Sequence, residues 1–286
     1  MIRFVSSILF FFLSVTVSSQ ELVISSESRL DWQRGTLSVS MSAEAPDDVP
    51  LQPGLLHRAQ QRIESEFPDA LFRALLPMRV NSVETVRDVV LESPEIASQI
   101  TDLAARATPG LPRPYPDLSG VQRVYDVPIF PDFVQLFVEH TIPFRMEEVI
   151  SWVPTTRFTG VVIYAADAIP LRGTDRTVFP APALLPEIYD ENLRPVLEQD
   201  MIDPDAVATR GVVAYSAETN EDPWRERIGG NPIRIMAREV YGIHPTDLII
   251  AEEDANRILG SDHNRGLLRE GRILVILNEE RIRITE

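Results

Sequence analysis

Leu37, Val39 and Met41 alternate with Thr36, Ser38 and Ser40. That two-residue period predicts a strand with one buried face, entered through a turn at Trp32-Gln33-Arg34-Gly35. Pro46, Pro50 and Pro53 with the Asp47-Asp48 pair predict a loop over residues 43–53. The period then changes. Leu55, Leu56, Ala59, Ile63 and Phe67 keep helical spacing with Arg, Gln and Glu between them. Pro68 predicts a kink or restart, after which Leu71, Phe72, Leu75 and Leu76 resume the stripe. Asn81 and Glu84 have capping-box spacing ahead of Val86, Val89 and Val90. Ser93-Pro94 predicts a second helix start, with Ile96, Ile100, Leu103 and Ala104 as its apolar stripe. Four prolines between Thr108 and Pro116 make a stiff extended connection. Gly120–Ile129 and Phe133–Glu139 read as two strands around Phe130-Pro131-Asp132.

The second half is richer in strand patterns. Phe158–Ala165 reads as a buried strand, Pro170–Pro186 as loop, and Glu187–Asp190 and Gly211–Ser216 as strands. Gly-Val-Val-x-Tyr-x-Ala occurs at 160–166 and again at 211–217. Two neighbouring central strands with similar demands explain the echo better than duplication. Ile233–Glu239 reads as a strand or short helix, Leu248-Ile249-Ile250 as a strand core, and Arg272–Leu277 as a strand. Glu252–Leu259 predicts a helix with acids in its first turn, where the helix dipole favours them. Arg281–Ile284 alternates like an edge strand guarded by charge. The order predicts an α+β protein: an antiparallel or mixed sheet packed by two or three helices, then a strand-rich second unit. The expected division is 1–19, 20–155 and 156–286, with a soft boundary near Trp152–Arg157.

The first nineteen residues change the picture. Arg3, the apolar run Ile8–Leu13 and the small residues Val17-Ser18-Ser19 have the layout of a secretory signal peptide, with cleavage expected between Ser19 and Gln20. The run is too short for a permanent anchor, and no other stretch is apolar enough to span a bilayer. The expectation is an exported, periplasmic protein. Cysteine is absent, so no thiol is there to acylate and no lipid anchor is expected. The net charge is −16, a field that repels nucleic acid and anionic headgroups. All 27 basic residues are arginine.

Candidate chemistry is sparse. The four histidines are His57, His140, His244 and His263. None lies in a Gly-x-Ser-x-Gly turn and no two have metal-ligand spacing. His244 with Asp247, and Asp262 with His263, flank turns where a cation could bind. Glu252 and Glu253 head the densest carboxylate cluster of the second half, and a solvated helix start accounts for it. No calcium loop is present. Gly229-Gly230-Asn231-Pro232 after Arg225 and Arg227 imitates a phosphate loop but lacks its Lys-Ser/Thr, and a tight turn is the better reading. The weak ligand candidates are therefore His244, Asp247, Glu252 and Glu253. No catalytic residue, metal or cofactor is expected.

Several ordered segments are similar to the LPP-twenty-like bacterial envelope proteins. They are Leu30–Leu37, the helix around Ala59–Leu76 and Met78–Val86. Phe158–Ile163, Pro186–Glu191, Gly211–Tyr215, Arg227–Pro232 and Asp254-Ala255 follow, similar to extended members of the group. The resemblance implies a cell-envelope protein, some relatives being outer-membrane lipoproteins and others flagellar-motor accessory proteins. It brings no catalytic residues. This chain departs from the lipoprotein members in having no cysteine, and carries Tyr164-Ala165-Ala166-Asp167 where the group has a more polar stretch.

Three functions are open at this point. The leading one is a non-catalytic periplasmic interaction or assembly factor with envelope or motor proteins as partners, itself capable of forming a homo-oligomer. The second is a small-ligand or cation-binding module. The third is a hydrolase of envelope polymers using two facing carboxylates.

Overall fold

The computed structural model describes residues 22–46, 54–148 and 153–285. The expected signal peptide with Ser19 and Gln20, residues 47–53 of the Pro-rich loop, and Trp152 lie outside the described residues.

The chain starts with a hairpin of β1 (Val23–Asp31) and β2 (Thr36–Glu44), paired from Asp31↔Thr36 back to Val23↔Glu44. Leu37, Val39 and Met41 are buried, as their alternation requires. α1 (Leu55–Leu75) covers that face and stacks Phe67 on Tyr125 at 3.8 Å between ring centroids. It runs through Pro68 as one helix. Buried Phe67, Ala70 and Leu71 hold both sides of the proline against the sheet, so packing overrides the lost backbone bond.

α2 (Val86–Glu92) and α3 (Pro94–Leu103) follow. The capping box expected at Asn81 and Glu84 sits four residues later: the Thr85 N–H donates to Asp88 Oδ2 at 2.8 Å. Asn81 Oδ1 instead accepts the Val83 and Glu84 N–H groups and closes a turn. The proline connection supplies two short pieces, β3 (Thr108–Pro109) and β4 (Arg113–Pro114), both antiparallel to β5 (Gly120–Pro128), which pairs with β2. Phe133–Glu139 is not a strand. Val134–Phe137 form a 3-10 turn that buries Phe133, Val134 and Phe137, a spacing that suits one helical turn as well as a strand.

The second half builds β6 (Val161–Ala165), β7 (Ile169–Pro170), β8 (Thr177–Val178), β9 (Ile188–Asp190), β10 (Pro195–Leu197), α4 (Pro204–Arg210), β11 (Ala214–Ser216), α5 (Arg225–Ile228), β12 (Ile233–Met236), β13 (Glu239–Tyr241), β14 (Asp247–Ile250), α6 (Glu252–Leu259), α7 (Asp262–Arg269), β15 (Ile273–Leu277), α8 (Glu279–Ile282) and β16 (Arg283–Thr285). β11-β15-β6-β12 make a parallel sheet, and β10-β9-β14-β13 a mixed one. β16 leaves this unit and pairs antiparallel with Arg29–Asp31 of β1, so residues 283–285 extend the first sheet. The fold is α+β.

The Gly-Val-Val echo separates here. β11 and β6 both flank β15, with Tyr215 level with Val275 and Ile163, and Ser216 level with Ile276 and Tyr164. The two copies are thus one residue out of step, and a one-residue slip reverses faces. Tyr215 enters the main core, where its hydroxyl donates to Ala183 O at 2.9 Å. Tyr164 lies on the other face, its hydroxyl 2.8 Å from Glu221 Oε1. Similar strand demands, not duplication, explain the echo.

One core runs through both halves. Trp32 meets Tyr215 edge-on at 5.7 Å, the Leu185 N–H donates to Val80 O at 2.8 Å, and the Phe144 N–H donates to Asp200 O at 2.6 Å.

Candidate interaction edge

The first sheet has an outer edge whose hydrogen-bonding groups can be followed residue by residue. The Trp32 N–H donates to Ile282 O at 3.1 Å, towards the β16 side. Antiparallel strands present their backbone groups to alternate sides. Leu30, Ser28, Ser26 and Ile24 therefore face the same way as Trp32, while Val23, Ser25, Glu27, Arg29 and Asp31 bond β2. β16 reaches only from Asp31 to Arg29. Beyond it, Ile24 and Ser26 have no strand partner among the described residues. The stretch carries one charge, Glu27, and no proline, the devices that usually blunt an edge.

A cavity of about 200 Å³ lies where this open edge meets β16. Its apolar wall includes Leu30, Leu37, Met78 and Ile284, from β1, β2, the turn after α1, and β16. Its polar lining is Ser28, Arg79, Glu280 and Arg281.

The four weak ligand candidates do not come together. Asp247 begins β14 and is buried, whereas Glu252 and Glu253 are exposed at the start of α6, beyond the far end of that strand. The Glu252 N–H contacts Glu191 Oε2 at 3.3 Å. His244 and Asp247 do share a neighbour: the His244 N–H donates to Ser82 O at 2.8 Å, and the Ser82 side chain bonds Asp247. Among the described residues no group of three or more His, Asp or Glu side chains is arranged to hold a metal ion. Asp262 bonds Arg265, and His263 Nε2 is 2.7 Å from Phe158 O. Arg227, in the phosphate-loop imitation, donates to the carbonyls of Arg210 and Gly211 at 2.5 and 2.8 Å and so caps α4. Burial pulls its guanidinium down to about 9.

Asp247 belongs to a carboxylate cluster that no local sequence pattern reveals, because its members are spread over sixty residues. Glu187 accepts the Tyr189 hydroxyl, and its N–H donates to Asp247 Oδ1 at 3.1 Å. Burial raises the Glu187 carboxyl above its usual range, with Asp247 and Asp200 adding to the rise. Burial likewise raises Asp247 against hydrogen bonds from Ser82, the Glu187 backbone and Thr246. Glu198 is raised by burial and by Glu187 and Asp200. These acids bind more protons folded than unfolded in a window starting at the ordinary values, 3.8 for Asp and 4.5 for Glu, and extending upward. Stability through this cluster therefore falls as pH rises across that window and is regained on acidification. Asp247→Asn keeps an acceptor for the Glu187 N–H and removes one charge. The expected result is a higher Tm at neutral pH and a smaller gain between pH 7 and about 5 than in the parent. Scanning calorimetry at several pH values checks both, and an unchanged pH profile would remove Asp247 from the account.

Among the described residues no helix is long and apolar enough to cross a membrane. Residues 23–136 match the family model described as Treponema pallidum Tp0624, N-terminal domain, and residues 160–279 match the model described as Treponema pallidum Tp0624, second domain. The first match covers β1 to the 3-10 turn after β5, and the second covers almost all of the second half. No curated protein matches the chain.

Proposed function

From a chain that carries two domains of the bacterial Tp0624 kind in their native order, we propose a non-catalytic interaction or assembly factor of the bacterial cell envelope. The supporting observation is the open outer edge of β1, a row of backbone donors and acceptors beside a half-apolar cavity. Strand edges recruit other chains through backbone hydrogen bonds. The finer kinship with LPP-twenty-like envelope proteins belongs to the same proposal. So do export through residues 1–19, the periplasm as the place of work, and the flagellar motor as one machine it could serve.

The test is in-cell cross-linking of a tagged full-length copy, with mass spectrometry of what is captured and fractionation to locate the protein. Reproducible capture of envelope-assembly or motor components is the expected result. Confirmed periplasmic residence with no specific capture would sink the assembly reading and turn attention to small ligands, which thermal-shift screening detects by mass action.

A further inference from the structure

The acids around Asp247 gather at a seam between the two halves of the chain. The turn at residues 79–85 forms one side of it. Arg79 O and Val80 O accept the Leu184 and Leu185 N–H groups at 3.0 and 2.8 Å, and Ser82 O accepts the His244 N–H at 2.8 Å. The fit is close, since a Cβ on Gly242 would lie 2.3 Å from Ser82 Cβ. Behind this contact Asp247 is 1% exposed and accepts from the Ser82 side chain, the Glu187 N–H and Thr246. Asp200 sits at a second seam bond: its carbonyl accepts the Phe144 N–H at 2.6 Å, and its Oδ1 is buried with no hydrogen-bond partner among the described residues.

The charges that bear on Glu187 and Glu198 are acidic: Asp247 and Asp200 act on the first, Glu187 and Asp200 on the second. Tyr189 of β9 and Tyr215 of β11 also face the group, and burial keeps both hydroxyls neutral. Arg227 acts on Tyr215, not on the acids. The turn carries Arg79 and Glu84, and α2 carries Asp88, which answers to His244. A buried carboxyl crowded by others binds a proton when the site is closed and gives it up when water enters. The bonds from Ser82 and Thr246 favour the charged form of Asp247, but burial outweighs them.

We propose that this seam is a pH-dependent latch. It is closed while the Glu187–Asp247 pair holds a proton. As both carboxyls ionise, residues 181–187 and 242–247 part from the turn at 79–85, and the sheets on either side stay folded. Opening hydrates the acids and gives Asp200 Oδ1 a donor. The latch goes beyond the interaction reading and stands whatever the chain binds.

Hydrogen exchange of the full chain, followed by mass spectrometry at pH 5, 6, 7 and 8, tests it. Protection factors corrected for the intrinsic exchange rate are compared between the seam peptides, which contain Leu184, Leu185 and His244, and peptides from β2 and β15. Seam protection should fall about tenfold or more from pH 5 to pH 8, the effect of one pKa unit of differential proton binding. Protection of β2 and β15 should change by less than about threefold, which separates local opening from loss of global stability. Glu187→Gln combined with Asp247→Asn keeps acceptors in place and should hold the seam closed at every pH. Circular dichroism establishes that this variant is folded. Should it fail to fold, Glu187→Gln alone, at a half-buried position, should still reduce the change in seam protection.

Seam protection that stays level with pH overturns the proposal. So does a fall matched by β2 and β15, which would make the effect global unfolding. A pH response that survives undiminished in the charge-removed variant overturns it as well, by giving the titration to other groups.

Discussion

Asn264→Leu should cost about 3 kcal/mol of stability or more, although it changes no charge and little volume. Asn264 is 1% exposed. Its Nδ2 donates to Thr155 Oγ1, Thr156 O and Arg257 O at 3.1, 3.0 and 3.2 Å, and its Oδ1 accepts the Phe158 N–H at 3.2 Å. One side chain thus serves the segment leading into β6 and the end of α6, while its own N–H is capped by Ser261 Oγ. Leucine would leave the Phe158 N–H buried and unmatched and remove the bonds from Nδ2, although Thr155 Oγ1 and Arg257 O keep their own bond at 2.6 Å. Each unsatisfied group costs about 1–3 kcal/mol, and some will reach water by local opening. For a chain of this size the loss corresponds to a Tm lower by roughly 6–12 °C. Thermal unfolding measures it; a Tm within about 2 °C of the parent would show that the hub is dispensable.

Gly160→Ala should destabilise comparably by a different route. A Cβ there would lie 2.6 Å from both Cα and O of Ile228, backbone atoms that no rotamer change can move. α5 would have to lift from β6, opening the smaller core of Val162, Leu274, Ile276 and Ile228. Overpacking of this kind costs about 1–3 kcal/mol, and more where backbone must shift. Gly230→Ala is the matched control: a Cβ there meets nothing within 4 Å, so its effect should stay within about 0.5 kcal/mol. Urea unfolding of the pair checks the contrast, and equal midpoints would refute the close-packing account. Gly211 heads the other copy of the echo for an unrelated reason. It combines a φ of +73° with contact against the Phe130 ring, so similar letters answer different demands.

Elements that bury one face were legible in the sequence. β2, α1 and α6 follow from periodicity, while β6, β14 and β15 follow from continuous apolar runs that are buried on both faces. β1 was not legible. Its Ser25-Ser26-Glu27-Ser28 run buries almost nothing, and it is a strand because β2 holds it there. The 3-10 turn at Val134–Phe137 was misread because its burial pattern suits either period over so few residues. α4 and α8 are too short for a stripe to declare itself, and α7, as long as α6, buries polar Asn264 and Arg265 beside Leu267 and Leu268 and so shows no apolar stripe. The open edge could not be read at all, since which strand lies outermost depends on sheet order. Arg281–Ile284 came nearest: its charge-flanked alternation marked an edge, and residues from 283 onward do form the sheet's outer strand, after a helical turn at Glu279–Ile282. The cavity draws on positions 28, 37, 79 and 281, and no local pattern links them.

The pairing of β16 with β1 bears on how the molecule comes into being. A chain emerging from its N-terminal end, through a ribosome or a membrane pore, makes β1 more than 250 residues before the residues that cover part of its edge. Every intermediate in between carries that edge uncovered along its whole length, at the stage when unpaired strands are most open to misassociation. The final contact also spans nearly the entire sequence, so closing it carries the loop entropy of the whole chain. Completion of the first sheet thus waits until residues 283–285 have been made. Removal of residues 283–285 should yield a species that is folded in most respects yet sticky along one strand.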